Sequence, residues 1–390
     1  MHGGMVVVYP VDLSLFDRVA HNPSYFSLMR SMQGSAKDVV DFCVPCNPYF
    51  PTDAMFAEYA SSLPRMLKHY PSDNETIASR LCETLGLDPA SVVLANGSTE
   101  LITWLDQLFV RDSLATPVPT FGRWTDQSAE NGKRVDAFQL LADDRFGLCL
   151  ESFEEFIRQQ GSRAAVICNP NNPDGGYVRR ADLLSWIDRM SDLDLIVVDE
   201  SFIDFVDLEE NASIADAIVG RDNVVVLKSL GKNFGLHGVR FGYAVSNRTL
   251  AARLRKALPK WNINSLAEAI IFSLRDNMDA YRDSLHKIKM DRRYMMTQLR
   301  NLPCVEVLPS QGNFLMMHLL SGVDGASCRD ELLAHHGLFI RECGNKAGID
   351  SSYIRAAVRG SGDVDRLVES LARFLIAREP TALIRGCDGA

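Results

Sequence analysis

From about residue 90 to residue 246 the chain alternates short apolar runs with stretches of helical apolar spacing. SVVL (91–94), AAVIC (164–168), LIVVD (195–199) and VVVL (224–227) are short, rich in β-branched residues and almost continuously apolar. That is the pattern of strands covered on both faces. Parallel neighbours need crossovers, which are right-handed and lay helices over both sides of the sheet. The expected fold class is therefore α/β, with a mostly parallel sheet covered by helices. Such sheets hold ligands outside the carboxyl ends of their strands. The residues that close each run are where function is to be sought.

At 390 residues the length suits about two domains. The 46% hydrophobic and 23% charged content is ordinary for a globular protein. A net charge of −9 argues for solubility and against a nucleic-acid partner. No apolar run approaches the roughly 18 residues of a membrane span, so no membrane partner is expected. The stretch MHGGMVVVYPVD shows no basic region followed by a cleavable apolar segment, and a cytoplasmic location is expected. Nine cysteines follow no regular framework. Cys43 and Cys46 form a C-x-x-C, readable as a redox pair, half of a zinc site or two reduced thiols. No second Cys/His pair stands at matching spacing, so no metal is expected and reduced thiols are favoured.

One run ends in an unusual constellation. Residues 224–246, VVVLKSLGKNFGLHGVRFGYAVS, carry Ser229, then Lys232, then Arg240, with glycines at 231, 235, 238 and 242. A lysine forms a Schiff base with an aldehyde, while a hydroxyl and a guanidinium hold a phosphate. Pyridoxal phosphate carries both groups. The segment resembles the Schiff-base segment of the fold-type I pyridoxal-phosphate enzymes, in the class I/II aminotransferase group. That resemblance implies pyridoxal 5'-phosphate as cofactor, Lys232 as the catalytic amine, and Ser229 and Arg240 as phosphate ligands. It also implies a large domain around a mostly parallel sheet of the seven-stranded type and a smaller α/β C-terminal domain. The expected divisions are an N-terminal arm at 1–45 packing with the small domain, a large cofactor-binding domain at 46–258, and the small domain at 259–390.

Further motifs follow in the order that histidinol-phosphate aminotransferases show, over roughly residues 38–377. CNPYFPT (46–52) resembles their Asn-Pro-Tyr segment, and HYPS (69–72) their Tyr-Pro element. By that resemblance Tyr70 reaches the cofactor phosphate of a neighbouring subunit in a homodimer; the alternative is a loop anchor. Gly97, Ser98 and Thr99 lie where a strand turns into a helix, a ready phosphate site, and either hydroxyl could cap that helix. PVPTFGRW (117–124) resembles the element whose aromatic residue, here Phe121, stacks on the pyridine ring, while Trp124 is expected to pack. In NPNNPDG (169–175), Asn172 matches the amide that meets the phenolic oxygen, and Asp174 stands where threonine is usual. Asp199 matches the carboxylate that keeps the ring nitrogen protonated and the ring an electron sink. Phe202 replaces a tyrosine that many relatives direct at the phenolic oxygen.

Substrate residues are expected in the last third of the chain. SQGNFLMMH (310–318) resembles an element whose asparagine, here Asn313, faces substrate. The segment 340–359 holds Arg341, Arg355 and Arg359, and by position Arg355 would pair with the α-carboxylate. Its pattern looks more like threonine-phosphate decarboxylases, as does PKWNINSLAEA (259–269). Two outcomes stay open. If Arg355 clamps the carboxylate, amino-group transfer follows; if Arg341 and Arg355 serve a second acidic group, the carboxylate can leave as CO2. Amino-group transfer on an amino acid, phosphorylated or not, is the first expectation. Decarboxylation of a threonine-phosphate-like substrate, or side-chain elimination or replacement, is the alternative. A cofactor-sensing transcription regulator is disfavoured, because the stretch before residue 46 is short and the chain is acidic.

Overall fold

The computed structural model describes residues 11–16, 23–32, 39–320 and 322–378. The first elements are α1 (Tyr25–Ser31), β1 (Val40–Asp41), α2 (Asp53–Lys68), α3 (Asn74–Leu85), β2 (Val92–Ala95), α4 (Ser98–Phe109) and β3 (Ser113–Val118). Then come α5 (Arg123–Glu130), β4 (Arg134–Gln139), α6 (Leu150–Gln160), β5 (Ala164–Cys168), α7 (Arg180–Arg189), β6 (Leu195–Asp199) and β7 (Val224–Ser229). The single turn α8 (Leu230–Asn233) leads to β8 (Gly242–Ser246), α9 (Arg248–Ala257), α10 (Ser265–Leu274) and α11 (Met278–Arg300). The last are β9 (Val305–Val307), β10 (Phe314–Leu319), α12 (Gly325–His336), β11 (Leu338–Phe339), β12 (Arg341–Glu342), β13 (Tyr353–Ala357) and α13 (Ser361–Arg378).

These elements form two compact units. The larger comprises Cys46–Lys289 with Ser310–Asn313, and the smaller the other described residues. In the larger, seven strands run in the order β2-β8-β7-β6-β5-β3-β4. All pairs are parallel except those of β8, which is antiparallel to β2 and β7. Each strand but β4 is buried at every position, as the continuous apolar runs imply; edge strand β4 is buried only at Asp136. Successive residues face opposite sides of the sheet. Ile196, Val198, Val224 and Val226 join Phe153 and Trp186 in one core cluster, while Leu195, Val197, Val225 and Leu227 join Leu101, Leu105 and Trp124 in another. That alternation puts Asp199 on the second side and Glu200 and Lys228 on the first.

The expected boundary after residue 258 differs from the observed one, which falls inside α11 after Lys289. The reason is packing: α10 lies against α2 and α3, and Tyr281 at the start of α11 donates to Asp204 at 2.6 Å. The smaller unit holds an antiparallel sheet in the order β12-β13-β10-β9 and a parallel pair of β1 with β11. The strand-like run 38–44 shrinks to two residues. Asp41 turns the chain there by accepting from the Cys43 and Val44 amides at 2.7 and 3.0 Å. Among the described residues no helix is long and apolar enough to cross a membrane.

Candidate active site

Ser229, Gly242 and Ala95 stand in one row across β7, β8 and β2. Beyond Ala95 the chain turns into α4, with Gly97 as its N-cap at φ +82 and no side chain capping the helix. Ser98 and Thr99 are the first helical residues, so neither is the cap. The first amides of α4 thus keep their orientation toward an anion. A Cβ on Gly97 would collide with the Arg240 guanidinium, whose Cζ would lie 2.9 Å away. One on Gly242 would stand 2.8 Å from the Ser98 amide nitrogen. Only glycines allow this approach of helix start, strand start and guanidinium.

Lys232 sits in α8, and its Nζ lies 4.5 Å from the Phe202 ring centroid and 5.5 Å from that of Phe121. The segment 46–52 holds this turn in place. The Asn47 amide donates to the Lys232 carbonyl at 3.0 Å, and Asn47 Nδ2 to the Asn233 carbonyl at 2.9 Å. Asn233 in turn donates to Asp204 at 2.8 Å. Asn47 was legible only as part of an extended path, because its partners lie 185 or more residues on. Lys228, four residues before Lys232, is otherwise engaged with Glu200 at 3.0 Å. Burial works against its charge, but Glu200 prevails and holds the ammonium above its ordinary value.

Asp199 closes β6 and is 4% exposed. Its Oδ1 accepts from the Ser201 amide and hydroxyl at 3.1 and 2.5 Å, and its Oδ2 from Trp124 Nε1 at 3.0 Å. Trp124, expected only to pack, is therefore a partner of this carboxylate. Its register partner on β5 is Cys168, whose thiol burial pushes up to about 12.

Asn172 is buried in the turn after β5. Its neighbour Asn171 donates to Pro119 at 2.9 Å and to Asp174, and accepts from Thr120 at 3.0 Å. Asp174 accepts the Gly176 amide at 2.7 Å, so this carboxylate braces its own loop. Gln311 donates its amide to the Gly175 carbonyl at 2.8 Å. Its side chain accepts the Asp207 amide at 2.8 Å. These bonds place Ser310–Asn313 in the larger unit. Asn313 is 1% exposed, and among the described residues neither its Oδ1 nor its Nδ2 has a hydrogen-bond partner. Buried amides are rarely left so, and a ligand would satisfy it. Tyr70 is 83% exposed and lies 5.4 Å from the ring of Trp261.

In the smaller unit Arg341 and Arg355 are register partners on β12 and β13, 7% and 6% exposed. Arg341 donates to Asn345 at 2.8 Å and Arg355 to the Cys43 carbonyl at 2.9 Å. Burial, with Arg341 adding to it, pulls the Arg355 guanidinium below its ordinary value. Arg359 is tied to the carbonyls of Asp41, Val44 and Val358, which is a structural role. Cys43 is buried and Cys46 half-buried.

The larger unit fits pyridoxal phosphate on its own geometry. A glycine-lined cradle with an arginine would take the phosphate, Lys232 the aldehyde, and Asp199 the ring nitrogen. The family model for aminotransferase class I and II matches residues 37–371. The L-serine phosphate decarboxylase of Campylobacter jejuni is 28% identical over 90% of this chain and 92% of its own. A histidinol-phosphate aminotransferase of a Thermoanaerobacter species is 28% identical over 77% of this chain and 83% of its own. The solved structure of a decarboxylase from Sulfurospirillum multivorans superposes with a TM-score of 0.83 at 27% identity, covering 91% of this chain and 93% of that one. Class I and II aminotransferases are pyridoxal-phosphate-dependent, and this chain belongs to their family.

Proposed function

We propose that the protein decarboxylates an amino acid carrying a second anionic group, a phosphorylated serine- or threonine-like substrate. The observation that carries this is the Arg341–Arg355 pair. Two like charges directly opposite on neighbouring strands destabilise a sheet, and burial raises the cost. A dianion shared between them offsets both, and planar guanidinium groups suit phosphate. One arginine would suffice for a lone α-carboxylate. With both engaged on the side-chain phosphate, the α-carboxylate keeps the freedom to leave. The similarity to a serine phosphate decarboxylase supports the same reading.

When bound, the cofactor supplies an aldehyde for the substrate amine and a sink for an electron pair. Gly97, Ser98, Thr99, Ser229 and Arg240 hold its phosphate, joined by Tyr70 from a second copy in a homodimer. Phe121 stacks on its ring, Asn172 meets its phenolic oxygen, and Asp199 its ring nitrogen. Asn313 gives its buried amide to the substrate. Loss of CO2 leaves an electron pair at Cα, and the Lys232 ammonium delivers the proton that replaces it. A cytoplasmic location belongs to the same proposal.

Amino-group transfer is the second reading, supported by the similarity to histidinol-phosphate aminotransferase. A panel of phosphorylated and plain amino acids, with products identified by mass, separates the two. Decarboxylation predicts a phosphorylated primary amine without any keto acid added. A keto acid product formed only with an amino acceptor would favour transfer.

A further inference from the structure

We infer that Trp124 is a positioning residue for the cofactor's ring nitrogen, acting through Asp199. This rests on the assignment of Asp199 to that nitrogen. Indole Nε1 donates to Oδ2 at 3.0 Å, while Ser201 takes Oδ1 with both its amide and its hydroxyl. Gripped on both oxygens, the carboxylate cannot turn about its Cβ–Cγ bond without losing a bond on one side. Trp124 is 3% exposed, so letting go would leave a buried N–H unsatisfied, which resists the rotation further.

Packing alone does not account for the contact. Trp186, fully buried in the core cluster on the opposite side of the sheet, is a packing tryptophan. Among the described residues its Nε1 has no partner. The indole N–H of Trp124 is instead directed at the Asp199 carboxylate. Trp124 also lies three residues after Phe121, so one turn carries both the ring's stacking partner and the clamp on its nitrogen's partner.

The test compares two compounds on the apoprotein. One is pyridoxal phosphate; the other is the analogue in which carbon replaces the ring nitrogen. Binding is followed by absorbance. Trp124→Phe keeps an aromatic filler and removes the donor. It should weaken pyridoxal phosphate binding about tenfold, the size of one hydrogen bond to a charged group, and leave the analogue's affinity unchanged. Trp124→His should restore the preference, because imidazole Nε2 stands as many bonds from Cβ as indole Nε1. Equal losses for both compounds in Trp124→Phe would make Trp124 a packing residue and overturn the inference. Should that variant not fold, a folded Trp124→His that has lost the preference overturns it equally. Asp199→Ala separates the two assignments. If it abolishes the preference while Trp124→Phe keeps it, only the role of Trp124 falls. If it too leaves the preference intact, the assignment of Asp199 falls with it.

Discussion

Lys228 and Glu200 form an ion pair at 3.0 Å with both side chains almost closed off from solvent. The pair lies on the opposite side of the sheet from Asp199, whereas Lys232 Nζ lies beside the Phe121 and Phe202 rings. Borohydride reduction of the holoprotein should therefore fix the cofactor on Lys232, as peptide mapping would show. An adduct on Lys228 would reverse the assignment. Lys232→Ala should bind cofactor more weakly and lose turnover by several orders of magnitude.

The same pair predicts a stability effect without a chemical one. Lys228→Ala leaves the buried Glu200 carboxyl without its ion-pair partner, with the Ser213 hydroxyl and the Ile214 amide as its donors among the described residues. Loss of one partner of a buried pair costs about 3–5 kcal/mol, which a denaturant titration would resolve. Cofactor attachment in the folded fraction should persist.

Phe202→Tyr should lower the pKa of the cofactor's visible absorbance transition by about half to one unit. A neutral hydrogen bond of 0.5–1.5 kcal/mol to the deprotonated form is worth about that much. A spectrophotometric titration showing no change, or a rise, would mean that Phe202 does not face the ring oxygen.

Gly97→Ala should weaken cofactor binding at least tenfold. A φ of +82 is strained for alanine, and the new methyl would displace the Arg240 guanidinium. Titration of the apoprotein measures the loss, and unchanged affinity would remove Arg240 from the phosphate site.

If Tyr70 acts across subunits, mixing Lys232→Ala with Tyr70→Ala chains should restore activity to one site per mixed dimer. That site takes its lysine from one chain and its tyrosine from the other. Sedimentation would report the dimer, and an absence of complementation would confine Tyr70 to its own loop beside Trp261.

Most of the proposed cofactor residues were legible because they fall in short local patterns at the end of an apolar strand; Tyr70, after α2, and Arg240, ahead of β8, lie outside that rule. Buried strands need continuous apolar runs, so their ends are marked in the sequence. What escaped depends on long-range contact. Trp124 meets a carboxylate 75 residues away, Asn47 braces a turn 185 residues away, and Ser310–Asn313 joins the larger unit through Gly175. No periodicity encodes such contacts. The helix start at residue 97 was misread for a different reason: two hydroxyls suggested a cap, but the backbone uses glycine there to admit Arg240. The boundary at residue 258 followed the last strand of the large sheet, whereas α10 continues that unit by packing on α2 and α3.

Which bond at Cα breaks is tested most directly with a β-phosphorylated amino acid carrying deuterium at Cα, incubated with and without a keto acid. Decarboxylation predicts evolution of CO2 and a released amine that retains its deuterium, whether or not the keto acid is present. Washout of the label, with a new keto acid formed and no CO2, would contradict the account.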